Sequence, residues 1–194
     1  MGKSLLLQLI RSELNNRLIN KAEKRCLSIE LDSTVDTHKI ASLFTYEVGH
    51  PMLPARPTLE QMNLMVYRGL DRIKPIAATI DEMQHVCEGN RDITARAVTD
   101  WLKVRMDKFN FPLICAGTHA IARLCEINDQ FTSRASANYV INPFTYGTQW
   151  MQVLASFADS VKLVDLSIIT KSGSKKLHIA TKGNMRALKR VLVF

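Results

Sequence analysis

The sequence has no apolar run that approaches the roughly 20 residues needed to cross a bilayer as a helix. Its first residues are basic and then apolar, but Gln8 and Arg11 interrupt the run and no small-residue cleavage site follows. This start does not predict a secretory signal peptide. We therefore expect a cytoplasmic protein. Internal repeats and low-complexity segments are also missing, and the composition excludes collagen-like, coiled-coil and disordered classes.

Cysteine is scarce, with four residues in 194. They are Cys26, Cys87, Cys115 and Cys125, and no two of them have the spacing of a zinc knuckle. His85 lies near Cys87, but no second pair of ligands follows at a metal-binding spacing. We therefore expect no zinc site and reduced thiols, with Cys115 in an apolar run that is typical of a buried strand.

Positive charge is in excess. Lys and Arg number 26 and Asp and Glu number 18, so the formal net charge is +8 at pH 7. The isoelectric point near 9.5 favours contact with polyanions such as nucleic acid, nucleotides or an anionic membrane surface. Composition alone does not choose among these partners.

Helical and strand-like patterns alternate along the chain. The predicted strands cover residues 26–31, 75–80, 112–116 and 138–141. The predicted helices cover residues 4–19, 36–49, 58–70, 91–108, 119–126 and 148–161, and a basic helix ends the tail. Asp36 is predicted to cap one helix, and Thr58 with Gln61 forms the capping box of the next. The alternation is typical of a parallel α/β sheet flanked by helices.

One predicted strand ends in two carboxylates, Asp81 and Glu82. Open α/β sheets bind ligands at the carboxyl ends of their strands. An Asp at this point can hold a magnesium ion, and the adjacent Glu can polarise an attacking water. The alternative is an acidic strand end that only caps a turn.

Gly2-Lys3-Ser4 stands directly before the first predicted helix. It matches the last three residues of a phosphate-binding loop, in which the Lys reaches the outer phosphates and the Ser binds magnesium. The first Gly, the four intervening residues and the preceding strand of that motif are not in the sequence. The simplest explanation is that the chain begins inside such a loop.

Three further polar residues lie near these motifs in the predicted fold. Thr118 follows the third strand, where its hydroxyl can orient water or cap the next helix. Arg134 precedes the fourth predicted strand and is either an arginine finger for a neighbouring nucleotide or a surface charge. Arg186 opens the basic helix, and it is either a phosphate contact or one of the solvated cations of that helix.

The order of these features resembles that of the AAA+ ATPases of the TniB and TnsC transposition type, to which the Mu transposition ATPase is related. The resemblance rests on residues 80–86 (IDEMQHV), 113–120 (LICAGTHA) and 129–134 (DQFTSR), and it continues through residues 142–144. In that family the first segment is Walker B and the Gly-Thr of the second is sensor 1. The resemblance implies a P-loop NTPase core over residues 1–162 without its first, central strand, and a partial helical lid over residues 163–194.

The resemblance also implies that the chain uses ATP and Mg²⁺. Gly2, Lys3 and Ser4 would bind the phosphates, and Ser4 and Asp81 would hold the metal. Glu82 would activate water for hydrolysis, and Thr118 would sense the terminal phosphate. Whether the chain is an active ATPase depends on its incomplete phosphate loop.

Two arginines complete the implied site. Arg134 corresponds to a finger-like position at the interface between subunits. Arg186, in residues 183–186 (GNMR), is similar to the sensor 2 entry of the helical lid. Both assignments imply a homo-oligomer in which one subunit completes the site of another.

The family's DNA-facing segments correspond to residues 34–39 and 56–58, where Lys39 and Arg56 can meet backbone phosphates. Ordinary solvated charges are the alternative. The implied function is an ATP-dependent regulator of DNA transposition that assembles on double-stranded DNA, without a membrane, and links the transposase and target-selection proteins to target DNA. Two alternatives stay open: a non-catalytic AAA+ adaptor, and another AAA+ ATPase of DNA transactions.

Overall fold

A computed structural model of the chain describes residues 2–16, 25–33, 35–50, 56–88, 92–134, 137–160, 166–170 and 172–192. Its contacts divide the chain into two compact units, residues 3–138 and residues 139–194 with residues 1–2. We call the first the sheet unit and the second the helical unit. The sequence predicts a boundary between the nucleotide-binding core and the helical lid at residues 162 and 163, and the division into units falls earlier in the chain. The assignment of core and lid stays a prediction.

The sheet unit alternates strands and helices. Its strands are β1 (Cys26–Glu30), β2 (Ala77–Asp81) and β3 (Leu113–Cys115). Its helices are α1 (Lys3–Asn16), α2 (Thr37–Glu47), α3 (Leu59–Ile73), α4 (Asp92–Phe109), α5 (Arg123–Ile127) and α6 (Asp129–Thr132), with 3₁₀ turns at Met83–Val86 and His119–Ala122. The predicted extension of the first helix to residue 19 lies outside the described residues.

The three strands form one parallel sheet in the order β1-β2-β3. Cys26 of β1 lies opposite Ala77 of β2, and Ala78 of β2 lies opposite Leu113 of β3. All five residues of β2 are buried, as expected for a strand with a neighbour on each side and helices over the sheet. The prediction of a parallel α/β sheet flanked by helices is confirmed. The prediction that the sheet lacks the first, central strand of the P-loop NTPase core stays a prediction.

Two helices of the sheet unit, α2 and α3, begin where the sequence predicts caps. The Asp36 side chain accepts the backbone N–H of Lys39 at 2.7 Å. Thr58 accepts the N–H of Gln61 at 3.2 Å, and the Gln61 side chain accepts the N–H of Thr58 at 2.9 Å. Both predicted caps are confirmed, and they start α2 and α3 so that Phe44 and Val66 are fully buried in the core.

The predicted strand at residues 138–141 is wrong. These residues belong to no strand, and Tyr139 and Val140 are 87% and 74% exposed. A strand needs a neighbour for its N–H and C=O groups, and this segment pairs with no strand in the part of the chain that the structure describes. β3 also differs from the prediction of a buried strand: it is half-buried, because within the described residues only β2 pairs with it.

The helical unit contains α7 (Thr148–Ser160), α8 (Ser167–Thr170), α9 (Gly173–Thr181) and α10 (Met185–Leu192). Trp150, Leu154 and Leu188 form its buried core. The Trp150 indole N–H donates to the Ser174 carbonyl oxygen at 3.2 Å. α7 therefore packs with the tail helices. Among the described helices of the chain, none has both the length and the apolar character that crossing a membrane requires.

Candidate nucleotide site

The two carboxylates lie at the carboxyl end of β2. Asp81 is 7% exposed, and its Oδ1 accepts the N–H of Glu82 at 2.8 Å. The Asp81 carbonyl oxygen accepts the N–H of Leu31 at 3.2 Å, which fixes this strand end against the residue after β1. Asp81 Oδ2 accepts no hydrogen bond from the residues that the structure describes. One carboxylate oxygen is therefore available to a cation.

Glu82 has an unusual backbone conformation. Its φ of 54° and ψ of 37° lie in the left-handed region, which is strained for a residue with a side chain and is enriched at functional sites. This conformation turns the chain from β2 into the 3₁₀ turn Met83–Val86. The side chain is half-buried, and Glu82 Oε2 accepts a hydrogen bond from Gln84 Nε2 at 2.5 Å.

Gln84 connects the ends of two strands. Its side chain is 4% exposed, and its Oε1 accepts the backbone N–H of Thr118 at 3.0 Å while its Nε2 donates to Glu82. Gly117 makes room for this contact, since a Cβ there would lie 2.8 Å from Gln84 Oε1. Gln84 is not among the residues that the sequence predicts for the site, although a polar residue between the apolar residues Met83 and Val86 is a signal for such a role.

Thr118 lies in the loop that follows β3. This loop is tied to β2, because the Ala116 N–H donates to the Ile80 carbonyl oxygen at 2.8 Å and the Met83 N–H donates to the Ala116 carbonyl oxygen at 2.9 Å. The Thr118 side chain is exposed and caps no N–H of the 3₁₀ turn His119–Ala122. Thr118 is therefore exposed at the sheet edge where Asp81 and Glu82 lie, and its predicted role toward the nucleotide stays a prediction.

Lys3 and Ser4 form the first turn of α1. Near the other end of this helix, the Asn15 side chain accepts the N–H of Cys26 at 2.9 Å, at the start of β1. Helix α1 contacts both β1 and β2, and it is about 21 Å long at 1.5 Å per residue. Because α1 ends beside the amino end of β1, its first turn is directed toward the carboxyl edge of the sheet, where Glu82 and Thr118 lie.

The residues at this edge suit magnesium. Asp81 would supply a carboxylate oxygen to a bound Mg²⁺, and Ser4, which is exposed in the first turn of α1, would supply a hydroxyl. Mg²⁺ prefers such oxygen ligands. No group of three or more His, Cys, Asp or Glu that could hold a metal is found among the described residues. Nucleotide phosphates and water would have to complete the shell, which is how Mg²⁺ is commonly held in phosphoryl-transfer sites.

Arg134 has a partner within its own chain. Its Nη1 donates to Asp107 Oδ1 on α4, and both side chains are about half-exposed. This ion pair agrees with the surface-charge alternative for Arg134. A role toward a neighbouring nucleotide would require Arg134 to leave Asp107, and that role stays a prediction.

The two segments with the predicted DNA cations lie side by side. The His38 Nε2 donates to the Pro57 carbonyl oxygen at 3.1 Å, which joins the neighbours of Lys39 and Arg56. Lys39 Nζ lies 3.3 Å from Asp32 Oδ1, and the hydrogen bond from Lys39 lowers the pKa of Asp32. Residues 34 and 51–55 lie outside the described part of the chain.

Arg186 belongs to the helical unit, in the first turn of α10. Its backbone N–H donates to Asn184 Oδ1 at 2.8 Å, so that Asn184 caps the helix. The Arg186 side chain is exposed. Its predicted contact with the nucleotide, as the sensor 2 residue, stays a prediction.

The cysteines are all free. Burial raises the pKa of Cys115 to about 12, and burial also raises the pKa of Cys26 and Cys87. These three thiols therefore stay protonated at neutral pH and are poor nucleophiles. His85 Nδ1 lies 2.5 Å from Glu88 Oε2, so His85 is paired with a carboxylate.

The parallel sheet, the carboxylates at its carboxyl edge and the Lys-Ser turn of α1 are compatible with the P-loop NTPase-like class of fold. A family model, that of the bacterial TniB protein, matches residues 1–142. The chain therefore belongs to the TniB family, which indicates involvement in transposition. This match confirms the family resemblance that the sequence predicts, and it ends before residues 183–186. Comparison with curated proteins finds no match.

Proposed function

We propose that the protein is an ATP-dependent regulator of DNA transposition that assembles on double-stranded DNA and links a transposase to its target. The observation that carries this proposal is the position of Asp81, Glu82 and Thr118 at the carboxyl edge of one sheet. Lys3, in the first turn of α1, supports it because that helix is directed toward the same edge. The TniB family supports the transposition context. The formal charge of +8 supports a polyanionic partner.

In this proposal each residue of the edge has one task. Lys3 neutralises the outer phosphates, and the first-turn N–H groups of α1 contact them. Ser4 and Asp81 hold Mg²⁺, which neutralises developing phosphate charge when it is bound. Glu82 accepts the proton of the attacking water, and Gln84 keeps the Glu82 carboxylate in position through the 2.5 Å hydrogen bond.

Assembly on DNA uses other residues. Lys39 and Arg56 meet backbone phosphates without reading sequence. Arg134 leaves Asp107 and reaches the nucleotide of a neighbouring subunit, which couples ATP to oligomer formation. Salt should weaken DNA binding, because each phosphate contact releases counterions.

The test replaces Glu82 by Gln, which keeps the shape of the side chain and removes the base. We expect Glu82→Gln to retain Mg-ATP binding in isothermal titration and to release phosphate roughly 10²-fold or more slowly than the unchanged chain. Asp81→Ala should instead weaken Mg-ATP binding, because it removes a metal ligand. Glu126→Gln is the matched control, since Glu126 is exposed on α5.

Two results would overturn the proposal. Unchanged phosphate release by Glu82→Gln would remove Glu82 from its role as the base. A chain that binds no Mg-ATP, yet still binds DNA, would instead be the non-catalytic adaptor. Analytical ultracentrifugation with DNA, with and without ATP, completes the test because a protein that stays monomeric under both conditions does not assemble as proposed.

A further inference from the structure

Positive charge is concentrated in the helical unit. Residues 139–194 contain eight Lys and Arg, two Asp and no Glu, a net charge of +6. Residues 1–138 contain 18 Lys and Arg and 16 Asp and Glu, a net charge of only +2. The helical unit therefore carries most of the net charge of the protein in less than a third of its length.

We propose that the exposed cations of α9 and α10 form a second surface for duplex DNA, which contacts the phosphate backbone and does not require nucleotide. This basic surface consists of Lys175, Lys176, Lys182, Lys189 and Arg190. The proposal goes beyond the proposed function, which assigns DNA contact to Lys39 and Arg56 in the sheet unit. It also concerns residues beyond the segment that matches the TniB family, 1–142.

Helix packing directs the cations of α10 toward solvent. Leu188 is 1% exposed and packs against Trp150 and Leu154. Lys189 and Arg190 follow Leu188 directly and are both exposed. Residues three and four apart share a helix face, so both cations lie on the face that begins with Arg186.

Helix α9 adds cations to the same unit. Lys175 and Lys176 are exposed, while Ser174 beside them is 1% exposed and holds the Trp150 indole through its carbonyl oxygen. Lys182 ends α9 in a left-handed conformation, with a φ of 50°, and is exposed as well. The packing of Trp150 thus fixes the backbone that carries these three lysines.

These cations have no acidic partners within the described residues. No Asp or Glu occurs after Asp165 in the sequence, and none of the five takes part in an ion pair with the described part of the chain. In the sheet unit, by contrast, Lys39 pairs with Asp32. Unpaired cations on one small unit favour a polyanion, because a phosphate contact costs no internal ion pair.

The packing favours DNA over an anionic membrane. A helix that lies in a membrane surface needs its apolar side free to enter the lipid. In α10 the central apolar residue, Leu188, is already in the core of the unit. The cations can therefore contact DNA phosphates while α10 stays packed against Trp150 and Leu154.

The test measures binding of the unchanged chain to a fluorescent duplex of about 30 base pairs, without nucleotide, from about 50 to 200 mM salt. We expect Lys189→Ala combined with Arg190→Ala to weaken binding and to reduce the slope of log K against log salt by about two. Arg68→Ala combined with Lys74→Ala is the matched control. It removes the same charge from two exposed positions, Arg68 in α3 and Lys74 directly after it, and should change the slope much less.

Each other outcome overturns the proposal. An equal effect of both double variants would mean that only net charge matters. A slope unchanged by Lys189→Ala with Arg190→Ala would remove this surface from DNA binding. If Lys189→Ala with Arg190→Ala lost binding to vesicles that contain anionic lipid but kept its DNA binding, the surface would be assigned to a membrane. Because no ATP is present, these results are independent of the Glu82→Gln test.

Discussion

The sheet unit and the helical unit use charged side chains in different ways. In the sheet unit, cations such as Lys39, Arg123 and Arg134 are paired with carboxylates of the same chain. In the helical unit the cations of α9 and α10 stand without such partners among the described residues. The difference indicates where to look for function. In the sheet unit the proposed site consists of a few side chains at one sheet edge, whereas in the helical unit the proposed DNA surface is spread over several cations.

The two units also differ in how they are held together. The core of the sheet unit extends across three strands and the helices that cover them, with Leu27, Phe44 and Ile80 fully or almost fully buried. Among the described residues, the core cluster of the helical unit consists of Trp150, Leu154 and Leu188, with a few half-buried side chains around them. We therefore expect the helical unit to be the less stable of the two.

The largest expected effect follows from this difference in core size. Trp150→Ala removes a fully buried indole and its hydrogen bond to Ser174, which costs about 3–5 kcal/mol. We expect α9 and α10 to lose protection in hydrogen exchange while β2 keeps it. Phe44→Ala, a comparable truncation in the sheet unit, is the control and should act on β2 instead. If either substitution lowered the hydrogen-exchange protection of both units equally, the two units would unfold together.

A smaller effect tests the position of the base. Gln84→Ala removes a hydrogen bond to the Glu82 carboxylate, and bonds to charged groups contribute about 1.5–3 kcal/mol. We expect kcat for ATP hydrolysis to fall roughly 10- to 100-fold with KM nearly unchanged, since about 1.4 kcal/mol corresponds to a factor of ten in rate. Gln152→Ala, at an exposed position of α7, serves as the control. A change in KM alone would assign Gln84 to nucleotide binding.

The smallest effect concerns an exposed ion pair. Asp107→Asn removes the partner of Arg134 and should lower the free energy of unfolding by less than about 1 kcal/mol. If Arg134 acts on a neighbouring subunit, freeing it should strengthen ATP-dependent assembly in analytical ultracentrifugation. Asp92→Asn, which breaks the similar pair with Arg123, should leave assembly unchanged. Weaker assembly with Asp107→Asn would argue for a role of Arg134 within its own chain.

The features predicted correctly from the sequence are those that depend on residues close together along the chain. The capping box of Thr58 and Gln61 and the strand that ends at Asp81 are local patterns, and the structure contains both. Gln84 was missed because its role depends on Thr118, which lies 34 residues further on. The Asp107 partner of Arg134 was missed for the same reason, being 27 residues away.

The wrong strand at residues 138–141 has a different cause. Tyr139, Val140 and Ile141 are residue types that favour strands, and they form a short apolar run. Strand formation, however, depends on a paired neighbour as well as on propensity. Sequence alone supplies the propensity and not the partner, so the three side chains remain exposed in the structure.

The contact between Gly117 and Gln84 constrains how this family can vary. A side chain at position 117 would place its Cβ 2.8 Å from Gln84 Oε1, so a larger residue there requires the Gln84 amide to move away from the Thr118 N–H that it now accepts. In an alignment of TniB proteins we expect these two positions to change together. Relatives that have lost the glutamine should be freer to carry alanine or serine in place of the glycine.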